Sequence, residues 1–304
     1  MVNYIKIFLV FFILSLTFSN DSKLHLIKLP TYDYESEDQF FLQQNIIPPY
    51  IVLFKKKLKQ IIYLAAKHEN GLNSHTFQLI NKTINTFNPD LIIIEGYETK
   101  MGFSDLKLIK TTKSCSPNWL CGEPLYASYL AHLKSIPFLG GEQSDQNIFN
   151  ILQTKGYSKE DIIFFYFTRQ IPQYYREQKI LTLEDIPILY KIFLKKLLQN
   201  PKNHNVPSFE KYMAWLNNIH PDLAYKNLML LINPNFTAPL KNGNFIQQIS
   251  NEINNIRDKH IVTILLKLSN YYNKILIIYG HSHYFTQKSI IEKYFGKPVY
   301  FNFI

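Results

Sequence analysis

Ionisable side chains follow short apolar runs at intervals along this chain. His68 follows QIIYLAA (residues 60–66), Glu95 follows LIII (91–94), and Glu142 ends an expected turn, Gly140-Gly141-Glu142, after the run 136–139. His281 and His283 follow KILII (274–278). Two imidazoles and two carboxylates suit the first shell of a divalent metal ion; without a metal, the same groups can exchange protons with an attacking water. Arg257 joins them as a candidate. The chain has 33 basic residues, and all but Arg169, Arg176 and Arg257 are Lys. An Arg inside a helix-like stretch of such a chain points to a use for its planar, permanently charged fork, either binding a carboxylate or polarising a carbonyl. The plain alternative is a salt bridge on a solvated helix face.

These residues converge only if the elements between them bring the ends of the apolar runs together. The runs 60–66, 91–94, 136–139, 274–278 and 299–303 read as strands. Helices are expected at His75–Phe87, with Ser74 as N-cap, and over 123–134, 245–272 and 287–294. Strands alternating with helices predict an α/β fold, a mainly parallel sheet flanked by helices. Ligands of open parallel sheets bind at the carboxyl ends of the strands, which is where His68, Glu95, Glu142, His281 and His283 fall. Residues 145–245 lack strand-like runs, are rich in aromatics, and read as a helical insertion or cap within a single domain spanning 50–304.

The order of these residues resembles the TraB/Tiki superfamily, which includes erythromycin-esterase-like and ChaN-like proteins. The resemblance rests on Gly280-His281-Ser282-His283 after a strand, Arg257 in RDKHIVTILL, Glu95 in LIIIEGYE and Glu142 in GGEQSD. It also rests on Ala65-Ala66-Lys67-His68, where Ala stands at the first position in place of the family's Gly. It covers roughly residues 50–145 and 245–304. It implies an exported hydrolase that cleaves a peptide or ester bond with an activated water. His68, Glu95, Glu142, His281 and His283 would hold a divalent ion (Mn, Co or Zn), and Arg257 would stabilise the anionic intermediate. Tyr97, Tyr279 and Tyr284 flank the motifs as hydroxyl donors or packing residues.

The implied partner is a peptide or a small-molecule ester. A second expectation from the resemblance is an exported haem- or ligand-binding protein, with His204 and His220 as axial ligands. A calcineurin-like metallophosphoesterase shares the G-H-x-H of residues 280–283, but the chain has no GNH and no early D-x-H, which places that reading third.

Composition bounds the rest. The formal net charge of +10 is almost all Lys, which argues against sequence-specific nucleic-acid recognition. Residues 1–20 contain Lys6 and the apolar run 7–18, whose twelve residues at about 1.5 Å each reach roughly 18 Å, short of the ~30 Å hydrocarbon core. The segment reads as a secretory signal peptide, or as an anchor if uncleaved, followed by a polar leader over 21–49. Cys115 and Cys121 are spaced to close a small disulfide in an oxidising compartment, with free thiols as the alternative. The run Lys55-Lys56-Lys57-Leu58-Lys59 is expected to be a solvated segment before the first strand, with membrane-surface association as the sharper alternative.

Overall fold

The computed structural model describes residues 46–69, 71–99, 115, 122–176, 178–180, 182–197, 207–221 and 228–301. The expected signal peptide, most of the polar leader, Cys121 and His204 lie outside them. Cys115 is disulfide-bonded. Among the described residues no helix is long and apolar enough to cross a membrane.

The chain is α/β, with a mixed, mostly parallel six-stranded sheet in the order β4-β3-β5-β2-β1-β6. The strands are β1 (Tyr50–Lys56), β2 (Lys59–Ala66), β3 (Leu91–Glu98), β4 (Phe138–Glu142), β5 (Lys274–Gly280) and β6 (Pro298–Phe301). The runs β4-β3-β5-β2 are parallel neighbours, while β1 is antiparallel to both β2 and β6.

The centre of the sheet is apolar on both faces, as expected where helices cover both. Ile62, Leu64, Ile92, Ile94, Leu276 and Ile278 pack on one side against α1 (His75–Phe87) and α2 (Glu123–Leu133). Ile61, Tyr63, Ile93, Ile275, Ile277 and Tyr279 pack on the other, against residues 261–268 of α8 (Phe245–Leu268) and against α9 (His281–Phe295). The odd–even alternation along β2, β3 and β5 sends successive residues to opposite faces. Ser74 caps α1, its side chain accepting from the Phe77 N–H.

The structure revises several expectations. A strand precedes the expected first one: Lys55–Leu58 are exposed, as expected, but the run is the tip of the β1–β2 hairpin rather than a lead-in, with Lys56 paired to Lys59 and Lys57 at a φ of 55°. Gly140, Gly141 and Glu142 belong to strand β4 rather than to a turn. Helix α9 begins at His281, immediately after β5, and not near residue 287.

The described residues divide into two compact units, one running up to Ser144 and resuming at Asn255, the other Asp145–Asn254. The second holds α3 (Asp145–Thr154), α4 (Lys159–Arg176), α5 (Asp185–Leu197), α6 (Phe209–Ile219), α7 (Leu228–Ile232) and the first part of α8. Its core is aromatic. Phe167, Tyr190 and Tyr212 lie with ring centroids 4.9–5.5 Å apart, and Trp215 Nε1 donates to Asp161 across 2.8 Å.

Candidate active site

The strand order sets the carboxyl ends of β4, β3, β5 and β2 side by side. These ends present Glu142, Glu95, Gly280 and, just past β2, His68, in that order across the sheet. Two helices complete the edge. On α8 the apolar stripe Ile261, Ile264, Leu265 and Leu268 lies on the sheet, and one turn earlier the same face carries Arg257 and Asp258 beyond the sheet's end. On α9, His283 sits in the first turn.

Glu95 reaches the edge because β3 is irregular there. Ile94 pairs with Gly140 and Glu98 with Glu142, so β3 spends two more residues than β4 over this stretch. Gly96, at φ +84°, makes the bend, and Gly140 is required opposite it: a Cβ there would lie 2.1 Å from the Tyr97 carbonyl oxygen.

Arg257 joins two carboxylates. Its Nε donates to Glu142 Oε2 at 2.7 Å, and its Nη2 donates to Glu142 Oε1 at 2.5 Å and to Glu95 Oε1 at 2.8 Å. Glu142 also accepts from the Tyr279 hydroxyl at 2.6 Å and the Gly96 N–H at 3.3 Å. Glu95 Oε2 accepts from the Gly280 N–H at 2.6 Å, at the start of α9. Burial alone would raise the Glu95 carboxyl, but its interactions with the His283 imidazole, the Arg257 guanidinium and the His68 imidazole outweigh it and hold the pKa at about 2. Burial also raises Glu142, and the Arg257 charge and hydrogen bonds overcome it, leaving Glu142 below the usual range. Burial and the charge of Glu142 push Tyr279 far above its ordinary value, so it remains a neutral donor.

The two imidazoles are held alike. His68 Nδ1 is hydrogen-bonded to Glu123, the first residue of α2. His283 Nδ1 lies 2.7 Å from Asp258 Oδ1, and Asp258 is itself fixed by Thr286 Oγ1 (2.5 Å) and Gln287 Nε2 (2.7 Å) from the same face of α9. Each Nε2 is thereby directed to the centre. His283 Nε2 is 3.6 Å from Glu95 Oε1. A Cβ added at Gly280 would meet His68 Nε2 at 3.2 Å and Glu95 Oε2 at 3.3 Å. The hydrogen bond to Glu123 raises His68 against its partial desolvation, to about 9. With 68% of the His68 side chain exposed, solvent screens part of that pairing.

The structure thus brings His68, Glu95, Glu142, Arg257 and His283 into one group. His281 is two residues before His283, about 200° around the helix, and does not share its face. Sequence reading missed Glu123 and Asp258. Asp258 adjoins Arg257 and Glu123 opens a predicted helix, but their partners lie 25 and 55 residues away and leave no local signal. Of the flanking tyrosines, Tyr279 holds Glu142, whereas Tyr284 bonds Tyr300 at 2.9 Å and packs in the core. His220 ends α6, its ring 5.1 Å from Phe236.

Two imidazole Nε2 atoms and a carboxylate, with each Nδ1 backed by a carboxylate, fit a divalent ion in donor type and supporting shell. Among the described residues, no three His, Cys, Asp or Glu side chains are already gathered in metal-holding geometry. No protein-family model, no curated protein and no solved structure matches this chain.

Proposed function

We propose that this edge is the active site of a hydrolase that opens a peptide or ester bond with an activated water, in the manner of the TraB/Tiki superfamily. The observation that carries the reading is the paired arrangement of His68 and His283. Each is anchored through Nδ1 to a carboxylate and directs Nε2 toward Glu95.

With Nδ1–H donated to Asp258, the Nε2 of His283 carries the lone pair and acts as general base. The 3.6 Å between His283 Nε2 and Glu95 Oε1 exceeds a direct hydrogen bond and suits a water held by both groups. As the water oxygen adds to the acyl carbon, its proton passes to His283. His68, protonated below about 9, then donates from Nε2 to the departing amine or alkoxide. Arg257 acts through the carboxylates it holds, keeping Glu95 ionised and correctly turned. A divalent ion on His68, His283 and Glu95 would supply a Lewis acid and lower the pKa of a bound water.

The test is hydrolysis of a panel of peptides and esters by the purified chain, with and without chelator, beside His68→Ala and His283→Ala. Loss of turnover in both variants supports the reading. Wild-type rates in both would remove it.

A further inference from the structure

The charges of the sheet unit are divided between its two ends. The amino ends of the parallel strands, with the turns and helix ends around them, carry Lys55, Lys56, Lys57, Lys134, Lys293 and Lys297, all exposed. The hairpin and the turn after α9 adjoin: Phe54 pairs with Pro298, and a Cβ at Gly296 would lie 3.0 Å from the Lys55 carbonyl oxygen. Lys59 Nζ donates to the Tyr272 carbonyl at 3.2 Å, tying the hairpin to the loop before β5. Among the described residues, the acids at this end are Asp90, bonded to the backbone N–H groups of Asn273 and Lys274, and Glu292. The opposite end carries Glu69, Glu95, Glu98, Glu123 and Glu142, set against Lys67, which pairs with Glu69, and Arg257, which pairs with Glu95 and Glu142.

Apolar side chains stand among the lysines. Leu58, at the hairpin tip between Lys57 and Lys59, is 80% exposed, and Tyr271 and Tyr294 are 55% and 46% exposed. A hairpin tip with one large exposed aliphatic residue between lysines, tied through Lys59 to the loop that carries Tyr271, matches the chemistry of an anionic lipid surface. The lysines meet phosphates, and the leucine and tyrosine rings reach the boundary between headgroups and acyl chains. None of these cations is Arg, the residue suited to reading bases or gripping phosphate bidentately.

We propose that the amino end of the sheet docks on an anionic lipid bilayer, which turns the carboxyl-end site away from the membrane. This does not depend on the site being hydrolytic.

The experiment is flotation of the full chain with vesicles of pure phosphatidylcholine and vesicles containing phosphatidylglycerol. Lys6 and the amino terminus, beside the uncharged run 7–18, also favour anionic vesicles, but they are common to every variant, so their contribution cancels when each variant's anionic-to-neutral ratio is compared with that of the wild type. The ratio should be well above one and fall with salt. At about 5-fold per lysine, K55Q/K56Q/K57Q should lower it on the order of 100-fold, and L58N should weaken binding to anionic vesicles. K191Q/K195Q/K196Q, which neutralises three exposed lysines of the helical unit, should leave the ratio unchanged. Thermal melts of the variants control for folding. A ratio near one, a hairpin variant that keeps the wild-type ratio, or an equal loss in the helical-unit variant each overturns the proposal.

Discussion

Nδ1 of His283 lies 2.7 Å from Oδ1 of Asp258, and both side chains are buried, at 7% and 2% exposure. A buried carboxylate in this position accepts from Nδ1–H and turns Nε2 toward Glu95. Asp258 bonds to His283, Thr286 and Gln287, so it acts through His283 as a positioning residue. Asp258→Asn keeps the shape but can present an amide N–H to Nδ1, which favours the wrong tautomer. The expected result is a fall in kcat of roughly 10–100-fold with KM little changed. Asp258→Glu should recover part of it. A fall in stability with unchanged kcat would reduce Asp258 to a packing role.

Arg257 is the counter-charge for two buried carboxylates. Arg257→Met keeps the bulk and takes the guanidinium counter-charge from Glu95 and Glu142, which should cost about 3–5 kcal/mol in urea unfolding. A loss below about 1 kcal/mol would place the guanidinium on a solvated face, contrary to its contacts.

Gly280 has a φ of −55°, which any residue can adopt, so the backbone does not demand glycine there. The space does. Gly280→Ala puts a methyl 3.2 Å from His68 Nε2 and 3.3 Å from Glu95 Oε2. Hydrolysis should drop at least about tenfold while the melting curve stays near wild type. Ala65, where the resembling family has Gly, is a different case. It is buried in regular β2 opposite Tyr279 and is not among the positive-φ residues, so Ala65→Gly should gain no activity and lose about 0.5–1 kcal/mol of stability.

Stability should peak near pH 6.5. His68 is raised from 6.5 to about 9, so its pairing with Glu123 stabilises fully below 6.5 and is lost as the pH climbs through 9. Burial lowers His260 from 6.5 to about 4, so below 6.5 the unfolded chain takes up this proton first and stability falls. Glu95, lowered from 4.5 to about 2, adds a further loss as the pH drops from 4.5 through 2. Melting temperature measured against pH should show both limbs. Glu123→Gln should flatten the alkaline limb and leave the acid limb in place.

The strands at the centre of the sheet and α1 were legible because their signals are local: apolar runs bounded by turn residues, and a Ser cap before a helix. The gathering of His68, Glu95, Glu142 and His283 followed from one rule about parallel sheets and the position of each residue after its run. Three features needed the third dimension. The strand YIVLFKK was hidden because its lysines, which are indeed exposed, read as a lead-in, whereas Lys55 and Lys56 end β1 at a hairpin. Gly140-Gly141 read as a turn, whereas Gly140 is small because the β3 carbonyls crowd it within a strand. Glu123 and Asp258 could not be singled out, because a carboxylate that backs a distant imidazole looks in sequence like any helix acid.

The most direct test of the central claim is turnover of a peptide and ester panel by wild-type chain and by His283→Ala, with the native fold of both verified by circular dichroism. The account predicts measurable hydrolysis by the wild type and a loss of at least about 100-fold in the variant. Wild-type turnover that survives unchanged without the His283 imidazole, or a well-folded wild type that hydrolyses none of the acyl substrates, would contradict it.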